Sequence, residues 1–210
     1  MKDTQIHPKE EVLNTISHGI GVIFGIVGLF LLLSKNSNKT DYATESILVY
    51  SITFTSMFLV SALYHKVKTV KTKRTLRIID HINIFFLIAG TYTPICLITL
   101  IQGKGWEICY IVWGITVVGT ILKLLFTGRF ELVSLVLYLA MGWLVVYDFD
   151  NLIEYTPNKG IQLLFLGGVF YTIGIVFYAI NRIPYNHFIW HLFVLAGAIS
   201  HWLMIYNYVV

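Results

Sequence analysis

The chain is short of charge. Only 12% of its 210 residues are Asp, Glu, Lys or Arg, against roughly 25% in a soluble globular domain. That deficit excludes an ordinary water-facing surface. Cysteine is scarce too: Cys96 and Cys109 are the two in the chain, and neither sits in a CxxC pair. They are expected near the same end of neighbouring helices, as buried free thiols rather than a disulfide. Also missing are a P-loop, a GxSxG elbow, an HExxH helix and a Rossmann glycine pattern. No low-complexity tract or soluble domain is evident, so any chemistry belongs to the apolar part of the chain.

Hydrophobic residues make up 57% of the sequence. They fall in seven blocks, at about 17–34, 45–66, 78–101, 106–126, 130–147, 160–180 and 187–208, each long enough to cross a bilayer as a helix. The fold class expected is an all-α integral membrane protein, a single seven-transmembrane helix bundle over 1–210 with a short cytoplasmic tail to about residue 16. The first block follows Glu10 and Glu11 and has no small-residue cleavage site after it, so it reads as a membrane helix and not as a cleaved signal.

The formal charge of +4 is a topology signal, not a nucleic-acid footprint. Lys66, Lys68, Lys71, Lys73, Arg74 and Arg77 crowd the connection between the second and third blocks, which by the positive-inside rule lies in the cytoplasm. The N-terminus is then cytoplasmic and the C-terminus outside. Arg129 and Arg182 fall inside as well, and Asp148, Asp150 and Glu154 fall outside. The basic 66–77 segment is also expected to rest against anionic lipid head groups.

This topology brings five polar residues to one depth. His65 is at the cytoplasmic end of the second helix, with Ser61 one turn deeper on the same face. Asp80 is at the cytoplasmic start of the third helix. His187 and His191, spaced i, i+4, project from one face of the first two turns of the seventh. Three neutral imidazoles with a fourth position left to solvent form an open zinc site. Asp80 is placed to hold a water there and take its proton, and Ser61 to hydrogen-bond that water or polarise a substrate carbonyl. Two plainer readings stand beside this one. His65 alone reads as a helix–helix hydrogen-bond partner, and Asp80 as an interfacial charge paired with Arg77 or Lys73.

The other histidines are read as lesser. His18, four residues after Asn14 and also on the cytoplasmic side, is expected to make a helix-entry hydrogen bond, with a place just behind the ligands as the alternative. His81 adjoins Asp80 and so points elsewhere. His201 lies ten residues beyond His191, roughly 15 Å along the helix at 1.5 Å per residue, too far for the same ion. Gly21 and Gly25 have the spacing of a close helix contact, and Pro94 should disturb the third helix.

The run Ser61-Ala-Leu-Tyr-His65, the pair Asp80-His81 and the segment Asn186-His187-Phe-Ile-Trp-His191 resemble motifs of the hemolysin III family, within the progestin and adipoQ receptor superfamily. The opening Glu10-Glu11, Asn14, Ser17, His18 and Gly19 resembles bacterial members. The resemblance implies a seven-helix bundle with zinc near the cytoplasmic face, His65, His187 and His191 as ligands, Asp80 holding a water and Ser61 beside them. It also implies a multi-pass protein of the bacterial plasma membrane. Relatives in the superfamily include alkaline ceramidases, so hydrolysis of a lipid amide or ester by zinc is the leading expectation, with membrane lipids as substrates. A zinc-braced, non-enzymatic protein that senses or regulates lipid state is the alternative. A cytolysin, as the family name suggests, and a transporter are further alternatives. The transporter lacks support from an inverted repeat or a charged path across the bundle.

Overall fold

A computed structural model describes residues 7–126, 130–180 and 182–210. Seven helices long and apolar enough to cross a membrane account for nearly all of them, and no strand occurs among the described residues. The helices are α1 (Pro8–Lys35), α2 (Ala43–Lys66), α3 (Val70–Pro94), α4 (Gly105–Phe126), α5 (Glu131–Gly142), α6 (Phe149–Tyr155), α7 (Asn158–Ala179) and α8 (Asn186–Met204). The segments α5 and α6 are halves of one span, Glu131–Tyr155, joined by a 3₁₀ turn at Leu144–Asp148. Each expected apolar block has its helix. Of the two basic residues assigned to other loops, Arg129 lies outside the described residues.

The helix α1 begins well before its apolar block, at Pro8. Residues expected to be tail up to about position 16 are therefore helical from that point. Proline at the first helical position, an acidic first turn of Glu10 and Glu11, and a His7 ring nitrogen that accepts from Lys9 N–H at 3.2 Å explain the start. Downstream, α3 gives way directly after Pro94 to a π-helical turn at Ile95–Thr99. Proline cannot donate to the ladder, and a wide turn is one way to absorb the gap.

Chain neighbours pack together: α1 on α2, α2 on α3, α3 on α4, α7 on α8, with α8 closing against α1. Glycines set the closest approaches. A β-carbon at Gly21 would strike the Phe58 ring, one at Gly25 would meet Phe54 and Thr55, and one at Gly119 would strike Phe85. Cys96 and Cys109 are both buried free thiols.

Hydrocarbon offers no water, so polar groups must find partners within the protein. Hydroxyls of Thr91, Thr93, Thr116 and Thr172 donate to carbonyls one turn earlier at 2.7–2.8 Å. Between helices, Ser56 donates to Asn83 at 2.8 Å, and Trp113 Nε1 to Thr93 at 3.2 Å. The break in the fifth span exposes backbone groups, and Tyr92 covers two of them. Its hydroxyl donates to the Gly142 carbonyl at 3.1 Å and accepts from Val145 N–H at 2.9 Å.

The glycine packing is testable on one helix. Gly21→Ala should lose about 1–3 kcal/mol to overpacking. Gly19, which has no neighbour within 4 Å of a β-carbon, should tolerate alanine or gain up to about 1 kcal/mol in helix propensity. Thermal melts of the purified variants should rank Gly21→Ala lowest. A Gly21→Ala melt at or above that of the native protein would overturn the close contact.

Candidate metal centre

Three helices deliver the expected polar residues to one end of the bundle. Helix α2 contributes Ser61 and His65 one turn apart, α3 contributes Asp80, and the first two turns of α8 contribute His187 and His191. One ring nitrogen from each of His65, His187 and His191 lies within 4.8 Å of the others. Ring centroids are 4.8–5.1 Å apart across the three pairs. His65 and His191 are buried, and His187 is partly so. Two of the nitrogens, His65 Nε2 and His191 Nδ1, are enclosed with no hydrogen-bond partner among the described residues. A buried polar atom left in that state costs about 1–3 kcal/mol, and a metal ion is a partner these atoms suit. The group could therefore hold a metal ion.

Ser61 is buried and lines the same cavity as Asp80. Asp80 keeps part of its surface, and it lines a cavity of about 130 Å³ that His187 and His191 also line. Away from these groups the walls are mostly apolar, with Leu87, Leu135, Leu139 and Val194 among them. Asp80 thus faces the cavity from α3 while two histidines face it from α8. Lys73, one of the partners considered for this carboxyl, is instead 2.5 Å from Glu11.

Sequence reasoning missed the part played by α1. Glu11 Oε2 is 2.5 Å from His65 Nδ1. Glu10 is buried, and its Oε1 accepts from His187 N–H at 3.1 Å and Phe188 N–H at 3.2 Å. Asn14 Nδ2 approaches His65 Nδ1 at 3.4 Å. His18 does not make the expected helix-entry hydrogen bond. It is buried and stacked on His191, with centroids 3.7 Å apart, and both its ring nitrogens lack a partner among the described residues. The signal for this was the spacing Glu10/Glu11, Asn14, His18, a polar stripe one helical turn apart, visible once the helix is started at Pro8.

The remaining histidines behave as expected. His81 turns to Glu131, 3.7 Å away, beside the Lys123–Glu131 ion pair at 2.8 Å. The His201 Nε2 is 3.0 Å from the Leu164 carbonyl, so its bond is to α7 and not to the cluster.

A seven-helix membrane protein with a buried three-histidine group at one end is the class these features define. The chain belongs to the Haemolysin-III related family, whose model matches residues 6–202. It is 39% identical to Hemolysin-3 of Bacillus cereus over 202 residues, covering 96% of this chain and 92% of that protein. It is also 39% identical to the Hemolysin-3 homolog of Bacillus subtilis over 203 residues, 96% and 95% of the two chains. The human Monocyte to macrophage differentiation factor is 29% identical over 208 residues, 95% of this chain and 84% of that one, which supports the wider superfamily. No solved structure matches the chain.

A metal held by this group should copurify with the protein. Elemental mass spectrometry of detergent-purified material is expected to find close to one transition-metal ion per chain, and little in a His187→Ala, His191→Ala variant. Equal metal in both, or none in either after metal is supplied, would reduce the histidines to packing groups.

Proposed function

We propose that the protein is a zinc-dependent hydrolase of lipid amide or ester bonds, acting inside a bacterial plasma membrane. The observation that carries this reading is the shared wall. Two of the three clustered histidines, together with Asp80 and Ser61, face one largely apolar cavity. Imidazole donors suit zinc among the common biological ions, and three of them leave a position open, as catalytic zinc sites do. Zinc held there supplies a Lewis acid for the acyl carbonyl and brings the pKa of water down to about 7.

The chain's own residues do the rest. The apolar walls receive the lipid and exclude bulk solvent, so only a water in the polar end of the cavity meets the carbonyl. Asp80 accepts a proton from that water as its oxygen adds to the acyl carbon, and returns it to the departing nitrogen or oxygen as the C–N or C–O bond breaks. Ser61, in the same cavity wall, hydrogen-bonds that water or polarises the acyl carbonyl. By the positive-inside rule this end of the bundle is the cytoplasmic one, with the 66–77 segment against anionic head groups.

A second reading has its own observation. Helices α2 and α8 both pack on α1 but approach each other little, so an ion held by His65, His187 and His191 would tie together two helices that are otherwise only indirectly joined. On that reading zinc braces the bundle, and the protein senses or regulates lipid state without catalysis.

Asp80→Asn separates the two. The hydrolase reading expects cleavage of a lipid amide or ester to fall by about 10²–10⁴-fold, the usual contribution of a proton-transfer group, with zinc content and melting temperature kept. A large loss of stability or zinc in that variant favours the brace. So does a native, zinc-loaded protein that cleaves nothing in a panel of acyl amides and esters, including lipids from bacterial membranes.

A further inference from the structure

We infer that Glu11, seconded by Glu10, is a positioning residue for the histidine cluster, and that the first turns of α1 act as a template on which the ligands from α2 and α8 are set. The inference rests on the metal-binding reading above. It concerns residues that touch the ligands and not the cavity.

A neutral imidazole carries one N–H and one lone pair, and only the lone pair can bind a metal. Which nitrogen has which is decided by what faces the ring. At His65 a carboxylate oxygen of Glu11 faces Nδ1 at 2.5 Å. A carboxylate is an acceptor only, so the proton sits on Nδ1 and donates to Glu11. The lone pair is then on Nε2, the atom that is buried without a partner among the described residues. The other tautomer would press a lone pair against the carboxylate and leave a buried N–H unused. Asn14 approaches the same Nδ1 at the longer distance of 3.4 Å and does not alter this choice. The second Glu11 oxygen is held by Lys73 at 2.5 Å, so the carboxylate is fixed at both ends. Hydrogen bonding of a ligand histidine to a carboxylate orients its ring and raises its basicity toward metal.

Glu10 does for α8 what Glu11 does for His65. The helix α8 starts at Asn186 with Tyr185 at its cap position in the left-handed region, φ 57°, and no side chain of its own caps it. The first amides of a helix need acceptors, and Glu10 Oε1 takes two of them, His187 N–H and Phe188 N–H. One of these belongs to a cluster histidine. The buried carboxylate also lies at the positive end of the helix dipole. Adjacent residues of one helix thus grip the two helices that carry the ligands. Those helices have few approaches of their own, so the spacing between His65 and the His187–His191 pair depends on this grip.

The test is zinc affinity of the full-length protein in detergent, measured by competition with a chromogenic chelator, beside ¹⁵N NMR of the histidine rings in the zinc-free state. Glu11→Ala is expected to weaken zinc binding by about 10–100-fold, the usual effect of losing such a partner. Glu11→Gln, which still offers an oxygen to Nδ1–H, should lose less. In the zinc-free native protein the His65 ring should show a protonated Nδ1 and a bare Nε2. Glu11→Ala should turn that into a mixture of tautomers, a change that mere loosening of the fold would not produce. Glu10→Gln keeps an acceptor at α8, and its smaller loss of affinity should leave the His65 signal unchanged. If the native protein takes up no zinc, the metal reading falls and this inference with it. If the native protein binds zinc and Glu11→Ala binds it equally well with His65 unaltered, the positioning role alone is overturned.

Discussion

The constraint on which this structure rests is the dryness of the bilayer. A polar group inside it must be satisfied by the chain, because lipid offers nothing. The bundle meets that demand locally wherever it can. Threonines donate back to their own helix, and Tyr92 covers the backbone where the fifth span breaks. Some buried groups remain unpartnered among the described residues, including hydroxyls such as those of Ser46, Tyr50 and Ser51. The ring nitrogens are different in kind. Those of His18, His65 and His191 are gathered at one end, in rings that touch. Rings clustered with their lone pairs unused form a donor set, and the fold has been built to keep them together.

Much of this was legible in the sequence because its cause is periodic or chemical. Seven apolar blocks specify seven spans through length alone. Ser61 and His65, and likewise His187 and His191, share faces because helical geometry requires it. That Asp80 joins them followed from counting crossings. The five residues come to one end of the bundle as that count required, and the cavity gives Ser61, Asp80, His187 and His191 a common wall. Gly21 and Gly25 were readable as contact points, and the rings they accommodate are those of α2.

What was not legible depended on a boundary that hydropathy does not mark. Residues 8–16 are too polar to register as part of a span, so Glu10, Glu11 and Asn14 were assigned to a tail. The helix-start signals were present in Pro8 and the acidic turn, but they say only where a helix begins, not what it touches. The contacts of Glu11 with His65, 54 positions away, and of Glu10 with His187, 177 positions away, come from how α1 sits between α2 and α8. No local rule reports that. The stacking of His18 on His191 was hidden for the same reason: spacing alone favoured a helix-entry bond and left a place behind the ligands as the alternative.

The arrangement also bears on why Asp80 stands apart from the three histidines. A fourth protein ligand would close the shell, as structural zinc sites do. Here the carboxylate nearest the rings, that of Glu11, is engaged at the far side of His65 and shared with Lys73, so it faces Nδ1 and not the space between the rings. Asp80 is in the wall of the cavity with Ser61. Neither carboxylate belongs to the three-histidine group. On the cavity side the cluster meets His18, whose ring, without a hydrogen-bond partner among the described residues, stacks on His191 and lines the same cavity. The hydrolase reading takes Asp80, in the cavity wall, as a proton acceptor beside the apolar space where a lipid carbonyl would lie.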